Sequence, residues 1–149
     1  MHKIRPITKE DLSIILLLSE EMHEESPRYK EMPFRRDKVE MLVNLLSEYG
    51  GGFLAQDSTT GETIGMVGGL IGEHFFSGTT YASDLVVFVT TEHRGSSVGV
   101  RLIKTFEEWA FAQGVSEVML GVSTGVQPER TGDLYEKLGY APSARTFVK

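Results

Sequence analysis

The sequence predicts an α/β domain built on a mixed sheet, on three observations. Three strand-like runs, Phe53–Gln56, Thr63–Glu73 and Tyr81–Thr90, follow one another in the middle of the chain. Stretches with helical periodicity lie before and after them, and the C-terminal third alternates strand and helix signals. No repeat, low-complexity segment or linker divides the 149 residues, which suit one compact domain (residues 1–149) with a buried core. Hydrophobic residues at 40% and charged residues at 24% place the chain among globular rather than disordered sequences.

Each element has its own signal. Lys3–Ile7 reads as a short first strand. Thr8 is a helix cap, and Asp11 sets a carboxylate in the first turn, where the helix dipole favours it. Leu12, Ile15, Leu16, Ser19, Met22 and His23 recur at helical spacing, which predicts a helix as far as Met22. Ser26-Pro27 and Met32-Pro33 mark Glu24–Phe34 as a loop. A second amphipathic helix runs from Arg36 to Glu48 and is closed by Gly50-Gly51-Gly52. Asp57–Glu62 is a polar turn. In the third strand, Leu85–Val89 is apolar on both faces, the pattern of a buried central strand. Val98, Leu102, Phe106 and Trp109 line one face of a helix over Val98–Ala112. Glu117–Val122 reads as a strand, Thr131–Leu138 as a short helix stopped by Gly139, and Tyr140–Phe147 as a last strand.

Composition narrows the chemistry. Without cysteine there is no disulfide framework, thiolate metal site or cysteine nucleophile, and a cytoplasmic setting is expected. No apolar stretch follows the first residues as in a signal peptide, and the longest apolar runs, Ile14–Leu18 and Leu85–Val89, are too short to cross a bilayer. The net charge of −6, from 15 basic and 21 acidic residues, makes a poor general nucleic-acid binder, because phosphate contacts dominate that affinity. The same balance suits a cationic amine substrate.

The junction after the third strand is the most informative stretch. Val87-Phe88-Val89 leads into Arg94-Gly95-Ser96-Ser97-Val98-Gly99-Val100, which opens a helix. Free backbone N–H groups and the helix dipole bind phosphate oxygens at such a place. Gly95 and Gly99 allow close approach, Ser96 and Ser97 add hydroxyls, and Arg94 adds charge. The plainer reading is a serine-capped helix after a tight turn. A second signal, Leu134-Tyr135-Glu136-Lys137-Leu138-Gly139-Tyr140, ends a short helix in glycine and an aromatic residue.

In this order, with a strand between them, the two segments resemble the GNAT N-acetyltransferase superfamily. The family pattern is a Q/R-x-x-G-x-G/A loop after a strand and a downstream L-Y-x-K-x-G-F/Y segment. The resemblance implies a mixed, mostly antiparallel central sheet, flanked by about four helices and splayed around the central strands. It implies acetyl-CoA as co-substrate without a metal, an amine acceptor as partner, and the homodimers many members form. Arg94–Val100 would wrap the pyrophosphate, and Val87, Phe88 and Val89 would supply the strand that pairs with pantetheine amides. The chain departs from the pattern at Ser97, where the family has its middle glycine. It departs again at Pro128, where many members carry an asparagine for the pantetheine arm, and Ser123–Arg130 is slightly long. Met22–Ser26, His74–Ser77 and Gly121–Val126 also resemble a bacterial and phage-encoded subgroup.

Amine acylation needs a deprotonated amine, a donor to the developing oxyanion and a proton for the leaving thiolate. Tyr135 is the expected general acid, since a phenol of pKa about 10 is protonated at neutral pH. Its alternative role is to pack on its helix and bond a backbone carbonyl. Asp84, a carboxylate ahead of an apolar run, is the expected base or ammonium anchor. The alternative is a structural carboxylate bonded to backbone amides where strands diverge. Family members with a glutamate base here would place it nearer Ser83, so Asp84 requires a local bulge. Glu73 and His74 are rivals for the role. The resemblance sets acceptor specificity in Met22–Phe34 and Glu73–Thr80, with His23, Glu25, Tyr29, Phe75 and Phe76 as candidates. Glu20, Glu21, Glu24 and Glu25 crowd a helix C-terminus, where carboxylates oppose the dipole, and suggest a cation-binding patch. The competing functions are a non-catalytic acyl-CoA-binding regulatory or degenerate domain, and a nucleotide-phosphate module. The latter lacks both a Walker lysine and a G-x-G-x-x-G after the first strand.

Overall fold

The computed structural model describes every residue, Met1–Lys149. Five strands form one sheet in the order β1-β2-β3-β4-β5: β1 His2–Pro6, β2 Gly52–Asp57, β3 Thr63–Glu73, β4 Thr80–Val89 and β5 Glu117–Met119. The first four pair antiparallel, and β4 pairs with β5 in parallel, so the sheet is mixed and mostly antiparallel. Four helices flank it: α1 Leu12–Glu25, α2 Arg36–Tyr49, α3 Val98–Ala112 and α4 Pro128–Lys137. No helix is long and apolar enough to cross a membrane.

Strand alternation divides the core between the two faces of the sheet. Phe53, Ala55, Val67 and Ala82 face α3 and pack with Val98, Leu102, Phe106 and Ala110. Leu54, Met66 and Phe88 face the other way, onto Ile15 and Leu18 of α1 and Val43 and Leu46 of α2. Trp109 sits at the margin of the first cluster. Thr8 opens a 3₁₀ turn whose carboxylate, Asp11, accepts the Thr8 N–H at 2.8 Å and both Arg5 N–H arms at 2.7 and 2.8 Å.

Three elements differ from expectation in ways that matter for the site. The β4 residues Leu85–Val89 are not enclosed on both sides, because β5 pairs with β4 only at Tyr81, Ala82 and Ser83. The expected strand Glu117–Val122 ends early, at Met119, and from there the two chains part. The expected strand Tyr140–Phe147 is irregular and mostly exposed. Pro142 lacks an N–H for a ladder, and Ala141, Ser143 and Ala144 bring little apolar area to bury. Smaller shifts lengthen α1 by one turn to Glu25 and start α4 at Pro128, where the missing N–H costs nothing in a helix's first turn.

A bulge lies at the centre of the sheet. Gly68 pairs with Val86 but Gly69 pairs with Asp84, so Leu85 is the extra residue on β4. Gly69 permits it: a Cβ there would stand 2.4 Å from the Ser83 carbonyl oxygen and 2.5 Å from the Phe106 ring.

Candidate active site

The parting of β4 and β5 opens a cleft of about 940 Å³ that reaches from α1 and α2, across β4, to the N-terminus of α3 and the face of α4. Thr90 N–H bonds the Ile64 carbonyl on β3. By alternation Val86 and Phe88 point their peptide groups the same way, and Val87 and Val89 present theirs to the open edge. That edge faces the start of α3, where the N–H groups of Gly99 and Val100 precede the first intrahelical bond, from Arg101 N–H to the Ser97 carbonyl. Gly95 has φ +83°, a left-handed turn that sends the chain into the helix. Ser96 Oγ donates to the His93 carbonyl at 2.5 Å, which ties down the turn, and Val98 is fully buried. A Cβ on Gly99 would meet only Val89 Cγ2, at 3.7 Å, so the space above this glycine belongs to the cleft.

At the point of divergence stands Gly121. Its N–H donates to Asp84 Oδ1 at 2.9 Å, and its carbonyl accepts from the Tyr135 hydroxyl at 3.4 Å. The two titratable groups expected from sequence therefore meet on one residue. Burial raises the Asp84 carboxyl above the usual carboxylate range, and the Gly121 N–H offsets this in part. Burial, then the nearby Asp84 charge, pushes the Tyr135 phenol well above its ordinary value. The bulge at Leu85 lies immediately after Asp84. Tyr140, half-buried beside Tyr135, donates to Glu107 Oε2 at 2.7 Å and ties the end of α4 to α3.

The other candidates fall into two groups. His23, Glu25 and Tyr29 line the cleft, each with a partner. His23 Nε2 is 2.7 Å from the Met32 carbonyl, and Tyr29 donates to Ser123 Oγ at 3.0 Å. Glu25 accepts both terminal arms of Arg94 at 2.6 and 2.7 Å, while Arg94 Nε donates to the Val89 carbonyl at 2.9 Å. Glu20 pairs with Arg36 at 2.8 Å, so two of the four clustered glutamates are already compensated. Phe75, Phe76, Glu73 and His74 do not line the cleft. The β3–β4 pairing runs on to Glu73 and Thr80 and carries the hairpin beyond the far end of the sheet. There Phe75 and Phe76, each 88% exposed, stack on one another, and His74 pairs with Glu117 at 2.9 Å.

Two features had no sequence signal. Arg130, on the first turn of α4, reaches across the cleft to within 3.5 Å of where a Gly95 side chain would begin, and its one hydrogen-bond partner is the neutral Gln127. The second is a strap across the cleft. Ser26, fully buried, donates to the Thr124 carbonyl at 2.6 Å and accepts the Tyr29 N–H at 3.0 Å, joining the α1–α2 loop to the β5–α4 loop.

Comparison with known proteins agrees with this geometry. Residues 16–140 match the family described as the acetyltransferase (GNAT) family. Human N-acetyltransferase 8B is 32% identical over 80% of this chain and 52% of its own length. Rat N-acetyltransferase 8 is 28% identical over 75% of this chain and 49% of its own. The chain thus spans about half the length of the curated relatives it matches. Among solved structures, a Trypanosoma brucei acetyltransferase superposes with TM-score 0.76 at 22% identity, covering 100% of this chain and 99% of that one. The structure of AAC(6')-Iy in complex with the bisubstrate analog CoA-S-monomethyl-acetylneamine gives 0.79 at 17% identity, covering 100% and 97%. At these identities the solved structures speak to the fold, whereas the family match spans most of the chain: the protein belongs to the GNAT acetyltransferase family.

Proposed function

We propose that the protein is an N-acetyltransferase that moves an acetyl group from acetyl-CoA to a primary amine, on a small molecule, peptide or modified base, by direct attack in a ternary complex. One observation carries this reading: Asp84 and Tyr135 meet on Gly121 where an open strand edge and a helix N-terminus share one cleft. The residues fit the co-substrate. The free N–H groups of Gly95, Ser97, Gly99 and Val100 suit a pyrophosphate, and the edge of Val87 and Val89 suits an arm bearing two amides. Arg130 supplies the cationic side chain that faces them. Arg94 holds the loop in place through Glu25 and Val89.

Bound acetyl-CoA supplies a thioester, so that a C–N bond forms, the C–S bond breaks and CoA leaves as the thiol. Asp84 takes a proton from the acceptor's ammonium before the attack, directly or through water, and its raised pKa makes it a better acceptor than an exposed carboxylate. Tyr135 stays protonated and turns its hydroxyl from the Gly121 carbonyl to the leaving sulfur. The long 3.4 Å bond makes that exchange inexpensive. Tyr135→Phe should lower kcat by about 10²-fold, the typical contribution of a positioned acid. Calorimetry should find acetyl-CoA affinity kept and ATP not bound. Acetyl-CoA binding by the wild type without turnover of any amine would instead identify a non-catalytic acyl-CoA-binding domain.

A further inference from the structure

We infer that the acceptor is a monoamine carried on an extended apolar body, seated between α1, α2 and the sheet, and that polycationic amines are poor acceptors. The inference rests on the acetyltransferase reading above and adds the class of acceptor.

The two walls of the cleft differ in chemistry. Toward α3 and α4 it offers backbone N–H groups, hydroxyls and Arg130. Toward α1 and α2 it is lined by Met22, Phe34, Val39 and Leu42, with Leu85 and Val86 opposite on β4. Met22, Val39, Leu42 and Val86 continue the core between α1, α2 and the sheet but are only partly covered. Leu85, the bulge residue, stands 53% exposed next to Asp84. The protein's own side chains therefore leave an apolar wall unfilled, and it runs up to the carboxylate that would receive the amine. A ligand chain laid along it removes apolar surface from water on both sides.

The charges point the same way. Although the chain carries −6 overall, five lysine and arginine side chains line the cleft against three carboxylates; with Arg94 held by Glu25 and Arg35 by Asp37, Lys38, Arg130 and Lys137 remain against Asp84 and Asp133. Of those three, Glu25 is held by both arms of Arg94, and Asp84 spends one oxygen on Gly121. Asp133 lies on α4. One ammonium group finds Asp84, while a second or third finds no free carboxylate on the apolar wall and meets a surplus of like charge. The transfer itself is unchanged: nitrogen gains the acetyl group and loses two protons, one through Asp84 to solvent and one matched by the proton taken up by sulfur.

The test is steady-state thiol release at saturating acetyl-CoA, with n-butylamine through n-decylamine and 2-phenylethylamine set against spermidine and neamine. The expected result is a kcat/KM that climbs about fourfold per added methylene until the wall is covered, the factor for burying one CH₂. Spermidine and neamine should fall about tenfold or more below n-octylamine. Leu85→Asp, at a half-exposed position, should flatten the chain-length dependence while acetyl-CoA affinity stays within about twofold. A flat series, or a preference for the polycations, overturns the inference and leaves the acetyltransferase reading standing. No turnover of any amine, or no binding of acetyl-CoA, removes that reading as well.

Discussion

Asp84, the proposed base, carries a cost to stability whose sign can be tested. A carboxyl raised by burial holds its proton more tightly in the folded than in the unfolded chain. Its contribution therefore turns unfavourable as pH rises from the unfolded value through the folded one, and stays unfavourable at neutral pH. Asp84→Asn should raise the melting temperature at pH 7, by about 2–4 °C for each kcal/mol relieved in a chain of this size. It should also lower kcat by about 10²-fold or more. A fall in melting temperature would mean that the carboxylate mainly braces the parting strands. The two arginines separate in the same way. Arg130→Ala should weaken acetyl-CoA binding about tenfold, the loss of one charge-assisted contact, with a shallower salt dependence. Arg94→Ala breaks a half-exposed ion pair and its stacking on Phe88, and should cost about 1 kcal/mol of stability in a denaturant titration.

At the scale of elements, the junction of β4 with α3 and the strap over the cleft make separate predictions. Gly99 has room for a side chain as far as the protein is concerned, since the nearest atom to a Cβ would be Val89 Cγ2 at 3.7 Å. Gly99→Val should therefore fold with a nearly unchanged melting temperature, yet bind acetyl-CoA at least about tenfold more weakly. The added methyl groups stand between the helix N–H groups and the open strand edge. Equal loss of folding and binding would place the glycine in the packing instead. The strap acts through buried polar groups. Ser26→Ala strands the Thr124 carbonyl and the Tyr29 N–H and should cost about 1–3 kcal/mol. Hydrogen exchange should then quicken in both loops, at Ser26–Arg35 and at 120–127, while α3 keeps its protection.

The whole molecule is a four-stranded antiparallel body to which β5 and α4 are joined by three residue pairs, the packing of Val118 and Leu120, the Gly121 contacts, the Tyr140–Glu107 bond and the strap. A ligand bridging the gap should stiffen the smaller part against the larger. Acetyl-CoA at 100 times its Kd should add about 2.7 kcal/mol, a rise of roughly 5–10 °C in melting temperature, and ATP at the same concentration should add nothing. Equal shifts with both would make the loop a general phosphate site.

Legible in the sequence alone were the order of elements as far as Gly139, the mixed sheet, the glycine-rich turn into α3 and the two groups that meet at Gly121. Each is written in local terms: period-2 or helical spacing, a cap, or a glycine where φ is positive or a backbone comes close. Only the tertiary structure decided how far β5 follows β4, and hence that Leu85–Val89 borders a cleft instead of a closed sheet. An apolar strand reads the same whether its neighbour pairs along its whole length or leaves it. The tail after Gly139 carries strand-forming Thr146, Phe147 and Val148, but a strand also needs a ladder partner, and Pro142 and the small residues around it supply neither donor nor area. The carboxylate partner of Arg94, the reach of Arg130 and the closure by Ser26 lie 69, 35 and 98 residues away in the chain. Such contacts are set by where the backbone brings distant side chains, which no local pattern records.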